Sequence, residues 1–372
     1  TSSGIVAEKQ DPPVQWDGST GKNVIWKKEV PLPGNNSPVI WEDRLFLAGA
    51  TEETEKVFCF DVASGELRWK RTVSGIRGAP DEPPDVTDNT GYAPSTVATD
   101  GEYLFAIFPT GNVAGFDFEG NQLWGKNLGV PKNPYGYGSS LVAFDGKVFI
   151  QYDQNDKASI RALGGEKGQV IWKKERDLSI CWASPMLVQH EGRTQLVLNG
   201  NPAVMAYNAQ SGEQLWRTEC MRGEVAPSPT YADGKVFVVN QYASAVALDA
   251  GSGDQLWSTN RPELPNAASP VATDEHLFFP TQYGMFSCLN VDKGKITWTH
   301  SFDEGSFSSP VLVGDHIYWT TFEGKTHIFE ASGEFEQINT SQLGEKCVTT
   351  PAFVNDRIYI RGRKHLFCVG GS

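Results

Sequence analysis

The sequence predicts an all-β chain, an eight-bladed β-propeller of four-stranded antiparallel blades in which the N-terminal strand completes the last blade. Three observations predict it: a frame running from Asp or Asn through Gly to Trp, a Ser/Thr-Pro opening in step with it, and strand fragments at the two ends that complement each other. A repeat of about 40 residues marks a solenoid, an array or a propeller, because one such unit cannot bury its apolar face alone.

The frame is clearest at Asp249-Ala-Gly-Ser-Gly253-Asp-Gln-Leu-Trp257 and recurs from Asp61 to Trp69, Asn208 to Trp216 and Asn290 to Trp298. Looser copies end at Trp26, Trp124 and Trp172, and an eighth, Ala331-Ser-Gly333-Glu334, lacks the aromatic. The glycine supplies a positive φ in a turn, and the preceding Asp or Asn can bond the turn backbone. The Trp then emerges on an outermost strand, where wedge-shaped sheets leave their widest gaps. A large flat ring with one N–H donor fills such a gap by docking on the next sheet.

The openings are Ser37-Pro38, Pro94-Ser95, Ser139-Ser140, Ser184-Pro185, Ser228-Pro229, Ser269-Pro270, Ser309-Pro310 and Thr350-Pro351. Each starts a short apolar run, an Asp/Gly/Asn turn and a second apolar run. Alternation of β-branched and aromatic residues, as in Lys235-Val-Phe-Val-Val-Asn240, indicates strands rather than helices. In the first unit the strands are expected at Pro38–Trp41, Arg44–Gly49, Val57–Asp61 and Glu66–Arg71. A fourth-strand pattern ending at Trp26 precedes any opening, and Thr350 to Val369 supplies three strands and stops. Joined, they close a ring and leave no unpaired edge. Residues 1–12 read as a flexible polar leader and 13–372 as one propeller domain.

Composition narrows the function classes. The net charge of −13 argues against a nucleic-acid partner, which demands clustered Lys and Arg. No apolar run approaches the roughly 20 residues of a membrane span. The chain opens at Thr1 without a charged-then-apolar leader, as expected where a signal peptide has been removed. The six cysteines lack a CxxC, which leaves a zinc or thioredoxin-type site without support. Cys181 and Cys347 fall in the fourth and eighth units, on opposite sides of a ring and beyond the roughly 6 Å Cα separation of a disulfide. Buried free thiols are expected, with a Cys181–Cys220 bridge as the exception.

Taken together, the Trp frames and openings resemble the pyrroloquinoline-quinone-type (PQQ-like) repeat propellers over about residues 15–370. The resemblance implies export to the periplasm or extracellular space. It implies either a quinoprotein dehydrogenase with quinone (PQQ) and calcium on the propeller axis, or a non-catalytic member such as the propeller lipoprotein of the outer-membrane barrel assembly machinery. Many of the dehydrogenases are longer and clamp the quinone with adjacent cysteines, and no two cysteines are adjacent here. No motif matches their calcium-binding Glu/Asn pair or catalytic Asp, so no catalytic or cofactor residue is carried over. No cofactor is expected except quinone and calcium under the dehydrogenase alternative.

Propeller ligands meet the loops around one channel mouth. The first interval between openings is 57 residues, and its polar, proline-rich excess, Ser74 to Tyr92, is an insertion on that face. Beside it Val130 to Gly138 carries Tyr135 and Tyr137. Candidate ligand or partner residues are Arg77, Tyr92, Tyr135, Tyr137, Trp182, Arg222, Asn240, Gln241, Tyr242, Gln282, Tyr283 and Arg361. Aromatic, amide and guanidinium groups at a concave mouth suit a small polar ligand or a peptide. The oxygen-rich stretches Asp85, Asp88, Asn89 and Asp153, Asn155, Asp156 lack the spacing of a calcium loop, so no metal site is expected. No hydrolase or nucleotide motif is present. The expected function is a monomeric binding or scaffolding propeller that engages a protein or glycan.

Overall fold

The computed structural model describes residues 4–6, 9–155 and 157–371, among which every regular element is a strand. The strands form eight sheets, antiparallel throughout apart from one parallel pairing at an inner edge. Blade 1 contains Val39–Trp41, Arg44–Ala50, Glu55–Asp61 and Leu67–Thr72, within a residue or two of expectation. Blades 2 to 7 occupy residues 98–127, 142–175, 186–219, 230–259, 271–301 and 311–342. Blade 8 takes Ala352–Val354, Arg357–Arg361 and His365–Gly370 from the C-terminal end and Val24–Glu29 from the N-terminal end. The ring is closed by a strand from the other end of the chain.

The core is distributed over eight hydrophobic layers, one in each seam between neighbouring blades. Indoles lock the rims of these seams. Trp26, Trp69, Trp124, Trp172, Trp216, Trp257 and Trp298 each donate their Nε1–H to a backbone carbonyl of the next blade at 2.6–3.2 Å. The first six lie flat on the frame glycine of that blade, where an added Cβ would stand 2.5–2.7 Å from the ring. Those glycines also hold φ between 61° and 83°, so both space and backbone require them.

The repeated openings do a second job. In every blade a Ser or Thr hydroxyl accepts the backbone N–H of its counterpart one blade back, at 2.8–3.1 Å. The series runs Ser37 to Thr96, Ser140, Ser184, Ser228, Ser269, Ser309, Thr350 and back to Ser37. A circular hydrogen-bond belt therefore holds the inner ends of the blades together. In blade 2 the belt residue is Thr96, one past the Ser95 that the pattern suggests, and Ser95 is buried.

The N-terminal stretch departs from expectation. Residues 1–3, 7 and 8 lie outside the described residues, but the rest of the leader is docked rather than free. Ile5–Val6 pair in parallel with Leu312 and Val313 of the innermost strand of blade 7. Asp11 N–H bonds Asp356, and the Pro12 and Val14 carbonyls accept from Tyr318 and Asn339. Trp16 is then buried in the seam between blades 7 and 8. Blade 7 has Asn339, not Trp, at the rim position, and Trp16 supplies the missing indole from elsewhere in the sequence. An open sheet edge and an underfilled seam are the physical reasons the leader is held.

Candidate functional site

The connections from each fourth strand to the next first strand, and the turns between second and third strands, lie on one face by topology. The insertion at 74–92 is fastened there. Asn35 N–H bonds the Ala93 carbonyl, Asn35 Nδ2 bonds the Asn89 and Thr90 carbonyls, and Thr87 N–H reaches the Tyr135 carbonyl. Arg77 stays exposed on it, whereas Tyr92 is half-buried against the seam of blades 1 and 2.

Three predicted residues are structural instead. Tyr137 is 1 % exposed and donates its hydroxyl to the Gln151 carbonyl. Asn240, 0 % exposed, donates Nδ2 to the Arg222 carbonyl. Arg361 is 1 % exposed and bonds Asn36 Oδ1 at 2.6 Å, the Ala48 carbonyl at 2.8 Å and the Leu32 carbonyl at 3.1 Å. Among the described residues it has no carboxylate partner, and burial lowers its pKa to about 9. Register placed all three near the mouth, but their side chains are buried and turned to partners within the protein.

The others form a surface. Tyr135 is 40 % exposed, packs its ring 5.2 Å from Trp182 and donates its hydroxyl to Glu224 Oε1 at 2.9 Å. That hydrogen bond raises the phenol pKa. Trp182 donates to the Gly136 carbonyl, which fixes the platform to its neighbouring loop. Arg222 is anchored through Nε to the Tyr242 carbonyl, and the Tyr242 ring lies where a Cβ on Gly223 would stand. Gln241 is held by its N–H to the Pro265 carbonyl.

Arg222, Gln241, Tyr242 and Tyr283 come together around a cleft of about 610 Å³ between blades 5 and 6. Tyr242 and Tyr283 are 51 % and 73 % exposed. Gln282 sits between Thr281 and Tyr283 with its Oε1 buried and unpaired. Sequence reading missed Asn260, Pro262, Glu263 and Leu264, which complete the cleft. The mixed polar and apolar character of that connection was the available signal. Arg77, Tyr92, Tyr135 and Trp182 do not line it.

The oxygen-rich stretches have other uses. Asp153 is fully buried in an ion pair with Arg176 and accepts from Gln151 at 2.7 Å. Asp156 lies outside the described residues, and Asp85, Asp88 and Asn89 are exposed. All six cysteines are free, five of them buried, and Cys181 and Cys220 share a seam without bonding. Burial pushes the thiols of Cys59, Cys181, Cys220 and Cys288 up to about 12.

The fold defines an eight-bladed propeller of the quinoprotein-repeat class. The family model described as outer membrane protein assembly factor BamB matches residues 4–154 and 156–369, and the chain belongs to that family. BamB from Moraxella catarrhalis superposes with a TM-score of 0.71 at 13 % identity, covering 93 % of this chain and 99 % of that one. A europium-containing methanol dehydrogenase superposes with a TM-score of 0.71 at 10 % identity, covering 98 % and 88 %. Quinoprotein ethanol dehydrogenases from Pseudomonas putida and Pseudomonas aeruginosa are 25 % and 27 % identical over 116 residues. That match spans 31 % of this chain and 18 % of each enzyme's length. No helix among the described residues is long and apolar enough to cross a membrane.

Proposed function

We propose that this chain is a non-catalytic scaffolding propeller of the cell envelope that engages a protein partner through its loop face. The observation that carries the reading is the exposed, preformed tyrosine cleft between blades 5 and 6, in a chain matched nearly end to end by an assembly-factor family. Loops that bond to one another hold their shape before a partner arrives, which lowers the entropy cost of binding. Exposed Tyr and Arg are the side chains most often found at the energetic centre of protein interfaces.

The dehydrogenase reading has the 116-residue likeness to the ethanol dehydrogenases in its favour. Its calcium-binding Glu/Asn pair and catalytic Asp match no motif of this chain. Among the described residues no three His, Cys, Asp or Glu side chains gather as an ion-binding group. The inner edge of blade 7 is also taken by Gly4 to Val6. A glycan partner would use the Tyr135 and Trp182 platform, whose phenol is already committed to Glu224.

The test is to purify the chain, add the quinone with calcium, and follow alcohol oxidation and melting temperature. No oxidation and no shift are expected. A saturable rise in melting temperature with turnover overturns the reading, since a ligand bound only by the folded state must stabilise it.

A further inference from the structure

The cleft between blades 5 and 6 has a definite charge layout. With Nε of Arg222 held by the Tyr242 carbonyl, its two terminal nitrogens meet no acceptor among the described residues. A guanidinium fixed in this way presents its remaining N–H groups as a fork, the shape that receives a carboxylate through two parallel bonds. The chain carries a net charge of −13, and Glu52, Glu53, Asp81, Glu82, Asp85 and Asp88 are exposed on the same face near blades 1 and 2. An acidic group is repelled from that side; in the cleft the guanidinium attracts it, and the exposed carboxylate of Glu263 on the same lining opposes it.

The walls select an extended chain. Tyr242 and Tyr283 stand on equivalent turns of neighbouring blades, one ring to each side, while Pro262 and Leu264 are buried beneath. Gln241 and Asn260 place amide donors and acceptors along the same opening. Separated aromatic walls with amides between them suit a peptide backbone and its small apolar side chains. A saccharide is better served by one broad ring and paired carboxylates.

We propose that this cleft receives an extended segment of a partner protein that bears a carboxylate, as an Asp or Glu side chain or the C-terminus. The carboxylate pairs with Arg222, and a proline or aliphatic residue of the segment lies between Tyr242 and Tyr283. This rests on the partner-binding reading above and adds the site and chemistry of recognition.

The probe is a displayed library of random twelve-residue peptides sorted on the immobilised chain, with parallel sorts on Arg222→Gln and on Tyr242→Ala with Tyr283→Ala. Enriched peptides are expected to carry a carboxylate and to lose roughly tenfold or more in affinity on either variant. Replacing the peptide carboxylate by its amide is expected to cost a similar factor on the wild-type chain and little on Arg222→Gln, as a coupled pair requires. The substituted side chains are exposed, so melting temperatures are expected to stay unchanged. Peptides without an acidic residue, equal enrichment on the variants, no enrichment at all, or oligosaccharide binding that needs the same three residues would each overturn the proposal. If cross-linking from the loop face finds a protein partner but none at the cleft, the proposal fails while the partner-binding reading stands. If the peptides bind as expected but no partner is found in cells, the recognition chemistry of the cleft stands, while its partner-protein occupant falls with the partner-binding reading.

Discussion

At the scale of single residues, the buried polar groups act as fasteners between blades. Arg361 reaches from blade 8 to Asn36, Ala48 and Leu32 across the closing seam. Arg361→Ala strands those acceptors and opens space, and chemical denaturation is expected to show a loss of about 3 kcal/mol against no change for exposed Arg77→Ala. His327 gives a pH signature. It lies against Phe302 and Trp319 between blades 6 and 7, and burial, with Lys325 nearby, lowers its pKa from 6.5 to about 4. The unfolded chain therefore binds the proton more tightly, so stability is full above about pH 6.5 and falls as pH drops toward 4. The expected loss is on the order of 2 kcal/mol after allowing for partial exposure, read from melts across that window. His327→Leu is expected to flatten it. The burial of Arg361, Asn240 and Tyr137 was not read beforehand, although their counterparts in other blades, such as Thr320, Thr281 and Cys181, are buried too.

At the scale of elements, the indole-on-glycine contact makes a sharper comparison. Gly253→Ala would put a Cβ 2.7 Å from Trp216 at a φ of +77°, whereas Gly146, at φ +67°, has nothing within 4 Å. Losses of about 2–4 kcal/mol and about 1 kcal/mol are expected, measured by denaturant unfolding. Trp16→Ala empties the seam where blade 7 lacks its own indole, with an expected loss of about 3–5 kcal/mol. The turns, strands and rim tryptophans were readable because each recurs at a fixed spacing. Trp16 and the Ile5–Val6 pairing were not, because each occurs once and answers to a gap made by residues 300 positions away.

At the scale of the whole molecule, eight seams, a circular belt of hydroxyls and a strand borrowed from the opposite terminus make one closed body. Its loop face then becomes a rigid platform. The face was legible as a place, since connections in a repeat array share a side, and four of the twelve candidates did gather in one cleft. Its chemistry was less so, because Asn260, Pro262 and Glu263 enter through a connection without a repeated signature. The most direct measurement is a photoreactive amino acid placed at Tyr283 on the loop face or at Asp315 on the opposite face, irradiated in intact cells. A discrete protein adduct from position 283 and none from 315 is the expected result. Adducts from neither position, or equally from both, would contradict a partner-binding loop face.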